Sequence, residues 1–238
     1  MQAFSGVARP PLAPSIRGVA VLADPLPFLF GASLLVAIAL ARRRRLVAAL
    51  VPAVLLSANA CTQILKPGLD RFVDVAGDPY PASWPSGHAT AAMSVALCCV
   101  LVVGPGLRAL AALLGAGYAV AVGYALVALG WHLPSDVLGG YLVAATFALA
   151  GAAALLALER GRQATGRPGS GVAAAAWPAL AAAAVGLAGL AALALVARRA
   201  DVGGVTLRHA EALLTAFAIT TLALVLTSGL ALALRRHA

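Results

Sequence analysis

Seven apolar runs follow one another in this chain: Leu26–Ala41, Leu46–Leu65, Ala89–Val103, Leu110–Leu129, Val137–Leu158, Val172–Val196 and Ala212–Leu234. None of them contains a charged residue. In lipid each backbone N–H and C=O must be satisfied within the protein, so a run of about 20 apolar residues is read as a spanning helix. A β-barrel would show short segments of alternating hydrophobicity, and the sequence has none. The expected fold is therefore all-α: a polytopic helical membrane protein of about seven transmembrane helices, or six. The first run is short, and could extend toward Val19 through a proline-bent start. Residues 1–25, with Pro10, Pro11, Pro14 and Pro25, read as a tail or an interfacial segment rather than a cleaved signal peptide.

The net charge of +9 does not indicate nucleic acid. Most arginines stand at the ends of apolar runs, where they set orientation and meet lipid headgroups. With seven spans, ten Lys/Arg (Arg42–Arg45, Arg108, Arg160, Arg162, Arg167, Arg235 and Arg236) fall on one side and seven on the other. The positive-inside rule puts the first group in the cytoplasm. The chain then divides into the segment 1–25, a membrane core over 26–158, a cytoplasmic linker over 159–171 and a C-terminal helix pair over 172–238. Cys61, Cys98 and Cys99 lie within apolar runs and read as buried thiols, not as a disulfide framework.

Two polar loops interrupt the apolar pattern. The first, Lys66 to His88, reads KPGLDRFVDVAGDPYPASWPSGH and contains the only lysine of the chain. The second is Trp131-His132-Leu133-Pro134-Ser135-Asp136. Two spans separate them, so both face the same side of the membrane, the extracytoplasmic one by the charge count.

Together the loops hold what a phosphate site needs. Phosphoryl transfer spreads negative charge over three equatorial oxygens and calls for fixed positive donors, a nucleophile and an acid. Lys66 and Arg71 are the available cations. Ser86 and Gly87 precede the third run, so their backbone N–H groups mark a helix N-terminus, a ready anion site. His88 follows on the first turn. His132 and Asp136 are four apart, close enough for the carboxylate to hold one imidazole nitrogen while the other attacks. Each residue alone has an ordinary reading. Lys66 could snorkel, and Ser86 and Asp136 could cap helices. Tyr80, Trp84 and Trp131 fit an aromatic belt, and His209 and His237 are interfacial. The constellation as a whole is harder to explain that way.

These residues resemble the signatures of the phosphatidic acid phosphatase type 2 superfamily, the lipid phosphate phosphatases. Pro85-Ser86-Gly87-His88 matches its middle signature. His132-x-x-x-Asp136 matches the end of its third, and Lys66 with Arg71 looks like its first. The resemblance covers residues 46–158. It implies a metal-independent hydrolase without cofactor, acting on a lipid phosphate or polyprenyl diphosphate in the bilayer. His132 would form a phosphohistidine, Asp136 would orient it, and His88 would protonate the leaving group and then activate water. Lys66, Arg71, Ser86 and Gly87 would bind the phosphate oxygens.

The sequence departs from the pattern in three places. Four residues rather than six separate Lys66 from Arg71, and Phe72 stands where proline is expected. Ala125 and Leu126 occupy the positions of the Ser-Arg pair that opens the third signature. Loss of one transition-state donor costs about 2.7–4 kcal/mol. A non-catalytic lipid-phosphate-binding protein and a phospho-group transferase are the alternative readings.

Overall fold

The computed structural model describes residues 13–69, 84–163 and 204–235. Within them the chain forms seven α-helices: α1 (Ala13–Val21), α2 (Pro25–Ala41), α3 (Arg45–Leu69), α4 (Gly87–Val102), α5 (Arg108–Ala128), α6 (Pro134–Gln163) and α7 (Gly204–Arg235). A short 3-10 turn, Pro105–Leu107, joins α4 to α5. The all-α expectation holds. Four helices, α3, α5, α6 and α7, are long and apolar enough to cross a membrane; α1 and α2, bent by 46° at their junction, would add a fifth as one broken span. The expected run Val172–Val196 and most of the linker lie outside the described residues, as does Arg71.

α4 is the post around which the bundle is built. At 16 residues it is short, yet nearly all of its side chains are buried. A helix that is hydrophobic all round belongs inside a bundle, not on its surface. Its alanines let neighbours approach closely. A Cβ added at Gly115 of α5 would stand 3.1 Å from the Ala96 Cβ, the close contact that small residues permit between membrane helices. The outer helices show the opposite distribution. Leu26, Leu29, Phe30, Ile64, Leu113, Leu114 and Leu142 are exposed, an apolar periphery suited to lipid rather than water.

Helix ends are secured by arginine at the end of α4 away from Ser86. Arg44 donates from Nη1 to the Leu101 carbonyl at 2.9 Å. Arg108 is buried and donates to the Leu234 carbonyl at the end of α7. Cations at helix C-termini satisfy orphan carbonyls and oppose the dipole. Some of the arginines counted as orientation signals are thus also structural caps. Through this contact and the bonds from Tyr124 Oη on α5 to the Ala216 carbonyl (2.6 Å) and Thr220 Oγ1 (2.7 Å), α7 packs directly on the core.

Candidate active site

The two loops meet at one end of the bundle because the first turns of α4 and α6 are locked together. The Ser86 N–H donates to the Asp136 carbonyl at 3.0 Å. Ser86 is also the N-cap of α4, its Oγ accepting from the Ala89 N–H at 3.3 Å. Gly140 makes this approach feasible, since a Cβ there would lie 2.7 Å from the Ser86 carbonyl oxygen and 2.9 Å from the Thr90 nitrogen. Gly139 leaves room in the same way for the Trp84 indole, which an added Cβ would overlap. Trp84 precedes Pro85 through a cis peptide bond.

α3 is tied to the same turn. Thr62 and Thr90 share a buried hydroxyl hydrogen bond of 3.0 Å, and the Thr90 hydroxyl donates to the Ser86 carbonyl at 2.8 Å. One helical turn beyond Thr62, the Lys66 ammonium arrives 3.7 Å from the position a Gly87 Cβ would occupy. Ser86's own amide is committed to Asp136. The N–H groups of Gly87 and His88, the first two of α4, have no acceptor within their own helix and stand at the positive end of its dipole.

His132 reaches its place through a glycine cap. Trp131 N–H donates to the Leu126 carbonyl at 3.0 Å and Gly130 N–H to the Val127 carbonyl at 3.1 Å, with Gly130 at φ +70°. This is the Schellman arrangement, which ends α5 and turns the chain toward α6. An L-residue in the left-handed region costs roughly 1–2 kcal/mol. Gly130→Ala should accordingly lower the thermal unfolding midpoint in detergent, with Gly130→Asn milder; equal midpoints for Gly130→Ala and the parent protein would refute the assignment.

Pro134 opens α6, where its missing N–H costs nothing. Asp136, in the first turn, is buried. Its Oδ2 accepts from the Leu133 N–H at 3.0 Å and from His132 Nδ1 at 3.3 Å, and its Oδ1 from Ser135 Oγ at 3.4 Å. The bond from Leu133 is the return half of a capping box. A carboxylate at Nδ1 favours the tautomer with its proton on Nδ1. The pairing expected from the spacing of four is present.

The two histidines stand at the same end of the bundle. The His88 ring centroid lies 6.2 Å from that of Trp131, next in sequence to His132. Lys66, Ser86, Gly87, His88, His132 and Asp136 thus converge on the paired helix starts. Leu126 is fully buried in the core.

Residues 45–160 match the family model described as the PAP2 superfamily. That segment belongs to the PAP2 superfamily. Its limits nearly coincide with those of the sequence resemblance. No curated protein and no solved structure matches the chain. The PAP2 segment begins with α3 and ends within α6, so it contains every site residue named so far. Among the described residues, no three His, Cys, Asp or Glu side chains gather as a metal site would require.

Two residues beside the site lie outside the PAP2 segment and were not singled out from the sequence. Asp24 Oδ1 stands 2.9 Å from His88 Nε2. The Arg17 guanidinium carbon stands 5.9 Å from the Trp131 ring centroid, within cation–π range. The segment that carries them had read as a tail or interfacial stretch. The signal was weak: one aspartate and two arginines in a segment of prolines, small residues and scattered apolar ones.

Proposed function

We propose that this PAP2 protein is a membrane phosphatase that hydrolyses a lipid phosphate or polyprenyl diphosphate at the extracytoplasmic face. The observation that supports the reading is the docking of the α4 start on the α6 start through Ser86 and Asp136, since Gly87 and His88 open α4, Lys66 approaches Gly87, and the His132–Asp136 pair stands at the start of α6.

In this mechanism the Lys66 ammonium and the Gly87 and His88 amides bind phosphate oxygens, with Arg71 as the further cation of the first signature. The Nε2 lone pair of His132 attacks phosphorus. The bond to the leaving oxygen breaks, its electron pair stays on that oxygen, and His88 supplies a proton. Water then attacks the phosphohistidine, His88 removes a proton from it, and the P–N electron pair returns to His132. Asp136 holds the ring throughout and stabilises its positive charge. The apolar outer surface keeps the substrate's tail in the bilayer while its headgroup enters between the loops. The arginine excess at the opposite end supports an extracytoplasmic site.

The full chain, purified in detergent, should release phosphate from at least one of a panel of phosphatidic acid, other lipid monophosphates and polyprenyl diphosphates, with the rate unchanged by a chelator. Loss of activity on chelation, restored by a divalent cation, would overturn the metal-independent mechanism. The buried, uncharged Leu126 favours one second reading, a protein that binds lipid phosphates without turnover. Saturable binding of the same panel with no phosphate released would establish it.

A further inference from the structure

We propose that Asp24, outside the PAP2 segment, is a positioning residue for His88, so that the site contains two carboxylate–imidazole pairs rather than one. The inference rests on the phosphatase reading above and deepens it. Its basis is the 2.9 Å contact between Asp24 Oδ1 and His88 Nε2, together with the way the chain prepares it.

Asp24 is the N-cap residue of α2 in backbone conformation, and its carbonyl accepts from the Phe28 N–H at 2.9 Å. An aspartate there ordinarily turns its carboxylate onto the N–H of the second or third helical residue. Here it makes no such cap. The local sequence is Asp24-Pro25-Leu26-Pro27, so the first and third helical residues have no N–H to offer. Of the two usual cap donors only the Leu26 N–H remains, and the carboxylate bonds His88 instead.

Its position is fixed from behind. Successive turns of backbone bonds, Leu22 to Val19, Ala23 to Ala20 and Asp24 to Val21, wind the α1–α2 junction tightly. Ala20 and Ala23 are buried against the bundle. Tyr118 of α5 donates its hydroxyl to the Leu22 carbonyl at 3.0 Å. The Trp131 ring faces His88 on another side, with Arg17 over it. Among the described residues, the charged groups at this end include Lys66 on α3 and the His132–Asp136 pair on α6.

The chemical consequence concerns which nitrogen moves the proton. His88 as imidazolium donates its Nε2–H to Asp24 and carries its second proton on Nδ1. That proton passes to the leaving oxygen as the P–O bond breaks, and water returns one to Nδ1 in the second step. Asp24 stays ionised throughout; it orients the ring and stabilises its protonated form.

A role through the general acid has a readout that a structural role lacks. An alkoxide must be protonated as it leaves, whereas a nitrophenolate departs without help. The test compares two lipid-tailed phosphate monoesters, one alkyl and one nitrophenyl, with the full chain in detergent. In single turnover, Asp24→Asn should lower the rate of alcohol release from the alkyl ester by at least about tenfold, a part of the roughly 10²–10⁴-fold that general acid catalysis supplies, and change the rate of nitrophenolate release by less than about threefold. Asp24→Glu should recover part of the alkyl rate. Retained nitrophenyl hydrolysis shows at the same time that the variant is folded. Equal losses on both esters, or none on either, would overturn the inference while leaving the phosphatase reading intact. A parent protein that hydrolyses neither ester, or a His132→Ala protein that hydrolyses both at the parent rate, would overturn the phosphatase reading and this inference with it.

Discussion

His132→Ala should lose phosphate release by at least roughly 10⁴-fold, the range met when a nucleophile or its orienting acid is removed. The expectation follows from how the ring is held. Nδ1 faces a buried carboxylate that also accepts from the Leu133 amide and the Ser135 hydroxyl, so the acid is locked by bonds independent of His132. Removing the imidazole takes away the attacking nitrogen and leaves that scaffold standing. Little change in the unfolding midpoint is therefore expected alongside the loss of rate. The corresponding positive result is chemical. Rapid quenching of the parent protein with a labelled lipid phosphate should trap an acid-labile, base-stable phosphoprotein, and the variant should form none. Full turnover by His132→Ala would refute covalent catalysis at this position.

Gly140→Ala should have the second largest effect, through geometry rather than chemistry. The added carbon would sit 2.7 Å from the Ser86 carbonyl and 2.9 Å from the Thr90 nitrogen, both backbone atoms of the first turn of α4. Neither can swing aside as a side-chain tip could. α6 must move away from α4, which strains the Ser86–Asp136 bond and parts the His132–Asp136 pair from Gly87 and His88. Overpacking of this kind costs about 1–3 kcal/mol. A displacement near 1 Å between reacting groups can cost about 10²-fold in rate. The variant should show both a lowered unfolding midpoint and a fall in kcat of that order. Parent-like stability and rate would mean that the helix starts are not held as tightly as the contact distances imply.

The limits of the helices were legible because charge, proline and glycine punctuate them. Observed α3 runs Arg45–Leu69 against the expected Leu46–Leu65, and α5 runs Arg108–Ala128 against Leu110–Leu129. The His132–Asp136 contact was also legible, since it depends on local spacing across one proline. Ser86 was read as an anion donor from its place before a helix, but its amide bonds the Asp136 carbonyl, a partner 50 positions away in a different helix. No local pattern could show that. The alanines and glycines of the last three apolar runs, 137–158, 172–196 and 212–234, fit close packing and a composition bias equally. The clash distances at Gly115, Gly139 and Gly140 identify packing at those three positions.

An unbroken apolar run admits few solutions in lipid, where the backbone must bond to itself. Membrane helices, their order and the shared side of the two loops therefore follow from the amino-acid string. Contacts between distant segments obey no such local rule. That α4 stands in the centre, that Lys66 comes to Gly87, and that the Asp24 carboxylate crosses to His88 emerge only when helices pack. Each depends on side-chain volumes and helix bends summed over the whole bundle. For Asp24 the two levels join: Pro27 removes one of the two amides that a carboxylate at this position would cap, and the fold supplies the imidazole that it bonds instead.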